Sequence, residues 1–129
     1  MNRKRFDHEK LDVYRVALEF VVWTGEMLDG ALEDCRLSAC KHLEESSTSV
    51  PLNIAEGNGK RSLKDRCRFF DISKASALES SACLDVLVAR GKIAAERVES
   101  GKDLLVRVVE MLTKMNARLL GSARARSIV

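Results

Sequence analysis

Apolar side chains recur at steps of three and four residues along most of the chain, which is the spacing of amphipathic helices. This pattern predicts four helices, at about residues 12–32, 37–56, 63–89 and 94–120, followed by a basic, flexible tail over residues 121–129. Helices with short connections favour an all-α fold, and in particular an antiparallel up-down-up-down four-helix bundle. The 129 residues are expected to form a single domain, because that length is typical of one hydrophobic core.

The first predicted helix has two apolar stripes. One includes Tyr14 and Leu18, and the other is centred about 150° away around the helix. Either other helices surround this helix, or the second stripe is buried against another subunit; the second interpretation is favoured, because a small bundle has no interior helix. The residues predicted to form this oligomer interface are Val16, Phe20, Trp23 and Met27.

The second predicted helix contains a segment that is unusual for a helix. Residues 46–49 have the composition of a loop, and Pro51 lacks the N–H that a helix interior needs. The apolar spacing nevertheless continues from Leu43 to Ile54, which favours one kinked helix; two short helices are the alternative. Small residues also fill the third predicted helix at residues 73–83, which favours a tight helix crossing there.

The connection between the second and third predicted helices contains two glycines and a helix cap. Gly57 and Gly59 are expected to take positive φ, because a helix end that turns back sharply favours a residue without a Cβ. Ser62 is placed to accept a hydrogen bond from the free N–H groups of the next helix. The pattern therefore predicts a sharp reversal of the chain between two long helices.

Two acidic residues fall on or near apolar faces of the predicted helices. Glu56 ends the second helix, and Glu79 lies on the apolar stripe of the third. A buried carboxylate needs a partner. Two interpretations stay open: a polar site inside the bundle, or structural ion pairs with basic residues such as Arg61, Arg68 or Lys74.

Charge is unevenly distributed, although the net charge of +3 is small. Residues 57–76 include six basic and two acidic residues, and residues 114–129 include four basic residues and no acid. Such clusters attract phosphate groups, as do the free N–H groups of a helix N-terminus. We therefore expect a nucleic-acid-binding surface formed by Lys60, Arg61, Lys64, Arg66, Arg68 and Arg118. The alternative is a solvated face with a few salt bridges; base stacking is not expected, because no aromatic platform accompanies the cluster.

No arrangement of residues predicts catalysis. The two histidines, His8 and His42, belong to no nucleophile–base or metal-binding motif, so we expect no enzyme activity, no cofactor and no metal site. The four cysteines have no C-x-x-C spacing and are expected to be free thiols. Neither a secretory signal nor a membrane-spanning stretch is recognisable, and the predicted location is the cytoplasm.

Several motifs together resemble a known family. They are Val13-Tyr14, Asn53-Ile54-Ala55-Glu56-Gly57, Gly59-Lys60-Arg61, Arg68-Phe69-Phe70-Asp71-Ile72, and Ser76 with Glu79. They resemble the bacterial four-helix-bundle family of ribosomal-RNA intervening-sequence proteins, which is similar to the accessory variability determinant of diversity-generating retroelements. The resemblance assigns a structural role to Asn53, Glu56, Gly57, Gly59 and Glu79.

The resemblance implies a ring-shaped homo-oligomer, because members of this family form five-subunit rings with a basic surface. It also implies RNA or DNA as a ligand and a reverse transcriptase as a partner, as for the retroelement member. The first hypothesis is therefore a non-enzymatic, oligomeric bundle that binds nucleic acid non-specifically, as an accessory to a reverse transcriptase or another RNA-handling partner. The alternative is a protein–protein interaction scaffold whose basic residues are structural.

Overall fold

Residues 3–128 are described by the structure, which is a computed structural model. A 3-10 turn at Asp7–Lys10 precedes four helices: α1 (Asp12–Asp29), α2 (Ser38–Asn58), α3 (Leu63–Ala89) and α4 (Ala95–Ile128). The prediction of an all-α chain with four helices is confirmed, and residues 3–128 contain no strand. The predicted domain and tail also include residues 1, 2 and 129, which lie outside the described residues. No helix among residues 3–128 has an apolar stretch long enough to cross a bilayer.

The four helices surround one apolar core. Helix α1 packs beside α2 and α4, and α3 packs beside the same two helices, while no Cα atom of α1 lies within 8 Å of one of α3. Helices α1 and α3 therefore lie diagonally across the bundle. Aliphatic side chains make up most of the core, and two phenylalanines are its largest members. The largest fully buried side chains are Phe20, Phe70, Leu43, Ile54, Leu84, Leu87 and Leu112.

The second apolar stripe of α1 faces this core. Val16 is 4% exposed and Phe20 is 0% exposed within a single chain, so neither has surface left for another subunit. Trp23 and Met27 are half-buried against the same core. The prediction that this stripe forms the oligomer interface is therefore wrong for Val16 and Phe20, and it stays a prediction for Trp23 and Met27. Apolar side chains that do reach solvent lie elsewhere on α1; Val22 is 61% exposed.

Helix α2 runs without interruption through Pro51, which is buried. It ends at Asn58, so Gly57 lies inside the helix, and Gly59 has a φ of −84°. The expected positive φ at Gly57 and Gly59 is wrong; among the described residues, Gly91 is the one glycine in that region, with a φ of 70°. Gly57 is needed for packing instead, because a Cβ there would lie 2.9 Å from Cε1 of Phe70.

Helix α4 is longer than its apolar pattern indicates. It continues from Ala95 to Ile128, so the prediction that it ends at about residue 120 is wrong, while the flexibility of the basic tail stays a prediction. Gly121 lies within the helix. The segment after it has no proline and contains Ala and Arg, which are among the strongest helix formers. Local propensity therefore extends the helix where the apolar stripe has ended.

Candidate nucleic-acid interface

Three separate parts of the chain meet at one end of the bundle. Asn58, the last residue of α2, donates a hydrogen bond from Nδ2 to Oδ2 of Asp7 at 3.0 Å. In α4, Asn116 donates from Nδ2 to Oδ1 of Asp71 at 2.7 Å, which places the residues after Asn116 beside the first turns of α3. The start of α1 shares a groove with Arg118. We call this region the basic end and define it as residues 3–12, 56–68 and 114–124.

The basic end concentrates positive charge. It contains twelve basic and five acidic residues, a net charge of +7, while the whole chain carries +3; the remainder therefore carries −4. The two basic stretches recognised in the sequence are neighbours here. Arg3, Lys4 and Arg5 are exposed and lie at the same end, which the sequence analysis missed although the basic run was visible. Positive charge is thus concentrated at one end of the molecule, and such a concentration attracts phosphate groups.

Arg61, Lys64, Arg68 and Arg118 are the exposed members of the predicted binding set. Within the described part of the chain, none of the four makes an ion pair. Arg61 and Lys64 flank Ser62, whose Oγ accepts a hydrogen bond from the Asp65 N–H at 3.0 Å and so caps α3 as predicted. Their charges are therefore available to a ligand close to a helix N-terminus.

Lys60, Arg66 and Arg68 are engaged within the protein. Arg66 donates from Nε to the backbone oxygen of Lys60 at 2.7 Å, across the α2–α3 connection. Both Lys60 and Arg68 lie over the ring of Phe69, at 5.1 Å and 4.9 Å from its centroid. Lys60 Nζ is also 3.9 Å from a carboxylate oxygen of Glu56. These three side chains stabilise the turn that presents Arg61 and Lys64.

The same fold and motif connect the chain to known proteins. Residues 9–114 match the family model described as 23S rRNA-intervening sequence protein. The chain belongs to this family. A solved structure of a protein with unknown function, from the S23 ribosomal protein family of Bacteroides thetaiotaomicron, has a similar fold with a TM-score of 0.71. It is 22% identical, and the match covers 81% of this chain and 97% of that one. No curated protein matches the chain.

In this intervening-sequence family member, the residues around Asn53 form hydrogen bonds within α2 and pack against α3. Asn53 donates from Nδ2 to the backbone oxygen and the hydroxyl of Ser49, both at 2.9 Å. Gly57 lies beneath Phe70, and Gly59 ends α2 with its N–H bonded to the carbonyl oxygens of the preceding turn. The glycines of the motif therefore serve helix packing and helix termination.

The two acidic residues of interest lie on the surface of this family member. Glu56 and Glu79 are both exposed, so the interpretation of a polar site inside the bundle is wrong. Glu56 has the long contact with Lys60 described above, whereas Glu79 makes no ion pair within residues 3–128. Neither carboxylate needs a partner, because solvent reaches it.

One groove between α2 and α3 brings together groups that the sequence keeps apart. It is lined by His42, Glu79 and Cys83 among others, a combination that the sequence analysis did not anticipate. Burial raises the pKa of the Cys83 thiol, and the charge of Glu79 raises it further. A nucleophilic cysteine needs the opposite shift. Burial raises the pKa of the Cys67 thiol at the basic end, and the charge of Asp71 raises it further. All four cysteines are free thiols.

Proposed function

We propose that this protein is a non-enzymatic, oligomeric helical bundle that binds nucleic acid without sequence preference through its basic end. It requires no cofactor and acts in the cytoplasm as an accessory to a reverse transcriptase or another RNA-handling partner. The observation that carries this proposal is the net charge of +7 at the basic end, against −4 for the rest of the chain. Each phosphate that a basic side chain neutralises releases condensed counterions, so a cluster of cations favours a polyanion.

The family name supports RNA as the polyanion. The matching family is described by the intervening sequences of 23S rRNA, which links its members to RNA-encoding genes. At the basic end, Arg61 lies exposed in the α2–α3 connection, Lys64 on α3 and Arg118 on α4, so they present charge over an area rather than at a point. Contacts of this kind bind the phosphate backbone and do not read bases.

We further propose that the helices run antiparallel and that five copies form a ring, as the resemblance implies. Cross-helix pairs support the first point, since Ser46 meets Ser80 while the later Ser49 meets the earlier Ser76. Because Val16 and Phe20 are buried within one chain, we expect other apolar side chains to contribute most of its interface.

Two separate faces of the chain offer such side chains. Leu18 and Val22 on α1 are 40% and 61% exposed. Leu78 and Val106 are 60% and 54% exposed, and they line an apolar groove between α3 and α4. A contact between two different faces is heterologous, which is the kind that generates closed rings. A ring would also bring several basic ends together.

The test of nucleic-acid binding is a titration of the purified protein into a labelled single-stranded RNA, followed by fluorescence anisotropy at several salt concentrations. We expect the double variant Arg61→Glu with Lys64→Glu to weaken binding. Its slope of log affinity against log salt should fall by about 1.4, because each lost phosphate contact on a single strand lowers the slope by about 0.7.

The matched control reverses two charges away from the basic end. Lys41 and Arg97 are exposed, so Lys41→Glu with Arg97→Glu changes the net charge equally. We expect this control to keep the wild-type salt slope. Equal loss in both double variants would show that only net charge matters, and wild-type protein that binds no RNA even at low salt would refute the proposal.

The second candidate function is a protein–protein interaction scaffold. It is favoured by the internal engagement of Lys60, Arg66 and Arg68, and by the apolar groove beside Leu78 and Val106. The RNA titration separates the two candidates, because a scaffold with structural cations retains its fold and binds no RNA.

The ring interface has its own test. We expect Leu78→Glu to convert the oligomer to monomers of unchanged helix content, because the charge would be desolvated in the interface. Leu52→Glu is the matched control, since Leu52 is 62% exposed and lies outside the groove. Light scattering coupled to size-exclusion chromatography gives the mass of each. An unchanged mass for Leu78→Glu would remove this groove from the interface.

A further inference from the structure

An exposed aromatic side chain stands at the basic end. Phe6 is 74% exposed, the largest exposed fraction among the large apolar side chains of the described chain. It follows directly after the exposed Arg3, Lys4 and Arg5, and these four residues line one shallow cleft together with Glu9. A ring in this position contributes little to the core and is accessible to a ligand.

The backbone around Phe6 is held by hydrogen bonds, although its ring is exposed to solvent. The Phe6 N–H donates to Oε2 of Glu9 at 2.7 Å, and the Glu9 N–H donates to the Phe6 carbonyl oxygen at 3.1 Å. The next residue, Asp7, accepts the hydrogen bond from Asn58 that ties this turn to α2. The acidic neighbours of Phe6 are therefore engaged in bonds that orient the turn.

The Phe6 ring is the outer member of an aromatic stack. It lies nearly parallel to the ring of His8, at 9° and with centroids 5.9 Å apart. His8 in turn contacts Tyr14 of α1 edge-on, with centroids 4.8 Å apart. Because His8 and Tyr14 are half-buried, the stack rises from the body of the bundle and leaves Phe6 in contact with solvent.

We infer that Phe6 is a stacking platform for an unpaired base, so the ligand of the basic end is a single strand rather than a duplex. Every base has a π face, and stacking on an aromatic side chain requires that the base be free of its own helix. Arg3, Lys4 and Arg5 lie within about 10 Å of chain from Phe6, close enough to contact the phosphates that flank the stacked base. This inference rests on the proposed function, and it departs from the expectation that base stacking is absent.

The test compares variants of the full-length chain for binding to a short oligoadenylate that carries one 2-aminopurine and to an RNA duplex of equal length. We expect Phe6→Ala to weaken binding to the single strand by a factor between about 5 and about 100, which corresponds to the loss of one stacked base. Its affinity for the duplex and its salt slope should stay unchanged, because no charge is altered. The 2-aminopurine quenching seen with wild-type protein should disappear.

Two further variants make the test specific. Phe6→Trp keeps a π face, and we expect it to bind the single strand at least as tightly as the wild type does. Leu52→Ala removes an aliphatic side chain that is 62% exposed outside the basic end, and we expect no change. Strand binding that is unaffected by Phe6→Ala, or lost equally for strand and duplex, overturns the stacking platform and leaves the proposed function standing. Wild-type protein that binds neither probe refutes both.

Discussion

Hydrogen bonds between small side chains cross the contact between α2 and α3, whereas the contact between α1 and α4 is built around one large aromatic ring. In the α2–α3 contact, the hydroxyl oxygens of Ser46 and Ser80 are 2.7 Å apart, and those of Ser49 and Ser76 are 2.8 Å apart. Ser73 donates to a backbone oxygen of α2 at 2.8 Å. These bonds fix the register of the two helices, because a shift along the axis leaves buried hydroxyls without partners.

The α1–α4 contact depends on shape. The Trp23 ring occupies the space above Gly101, where an added Cβ would lie 2.6 Å from the ring. The indole N–H donates to Oγ of Ser100 at 3.0 Å, and the Phe20 ring stacks on Trp23 with centroids 5.7 Å apart. Apolar burial supplies most of the stability of this contact, and the α2–α3 contact contributes more of the specificity.

The largest test of this comparison is the substitution Phe20→Ala. We expect it to lower the free energy of unfolding by about 3–5 kcal/mol, because Phe20 is fully buried and the surrounding core cannot close the cavity. The measurement is urea unfolding followed by circular dichroism. The loss should be the same at every protein concentration, since the side chain is buried within one chain.

The control for this substitution is Val22→Ala, at a position that is 61% exposed on the same helix. It should change stability by no more than about 0.5 kcal/mol at low protein concentration. If the effect of Phe20→Ala instead vanished on dilution, Phe20 would belong to a subunit interface after all.

Periodicity found both stripes of α1 but could not tell which one faces inward. The spacing of Val16, Phe20 and Trp23 gives their angle around the helix, not the direction of the neighbouring helix. The deciding feature is Gly101, about eighty residues away in the sequence, which makes room for the Trp23 ring. Long-range complementarity of this kind is invisible to a pattern read within one helix.

The sequence predicts most residues of the candidate site, but it does not predict that the fold brings them together. Local charge identified the turn around Arg61 and the separate position of Arg118, and only the fold makes them neighbours of Arg3. The sequence favours a backbone role for Gly57, because the local pattern shows only that a helix end is near. Its actual partner, Phe70, belongs to the next helix.

A smaller effect distinguishes the glycines of the two contacts. In Gly57→Ala the new Cβ would lie within about 3 Å of Phe70, which is fully buried and has no room to move. We expect a loss of about 1–2 kcal/mol from overpacking, beyond the small gain in helix propensity. Urea unfolding at one fixed protein concentration measures it.

Gly101→Ala is the matched comparison on the α1–α4 side. The Trp23 ring is half-buried and can rotate toward solvent, so the propensity gain of about 1 kcal/mol should offset most of the lost packing. Tryptophan emission should shift to longer wavelength in this variant and stay constant in Gly57→Ala. A larger loss of stability in Gly101→Ala than in Gly57→Ala would contradict the contrast between an immobile and a mobile partner.

The last test concerns the coupling within the buried hydroxyl pair of the α2–α3 contact. In Ser46→Ala the Ser80 hydroxyl loses its partner, and we expect a loss of about 1–2 kcal/mol. Ser80→Ala should cost less, because Ser46 also donates to the Leu43 carbonyl oxygen at 3.3 Å. The double variant should be less destabilised than the sum of the two, since it leaves no unpaired hydroxyl and alanine has the higher helix propensity.

A double-mutant cycle gives the coupling energy, expected at about 0.5–1 kcal/mol. Strict additivity would mean that the two hydroxyls are solvated independently, and that close packing alone holds α2 against α3.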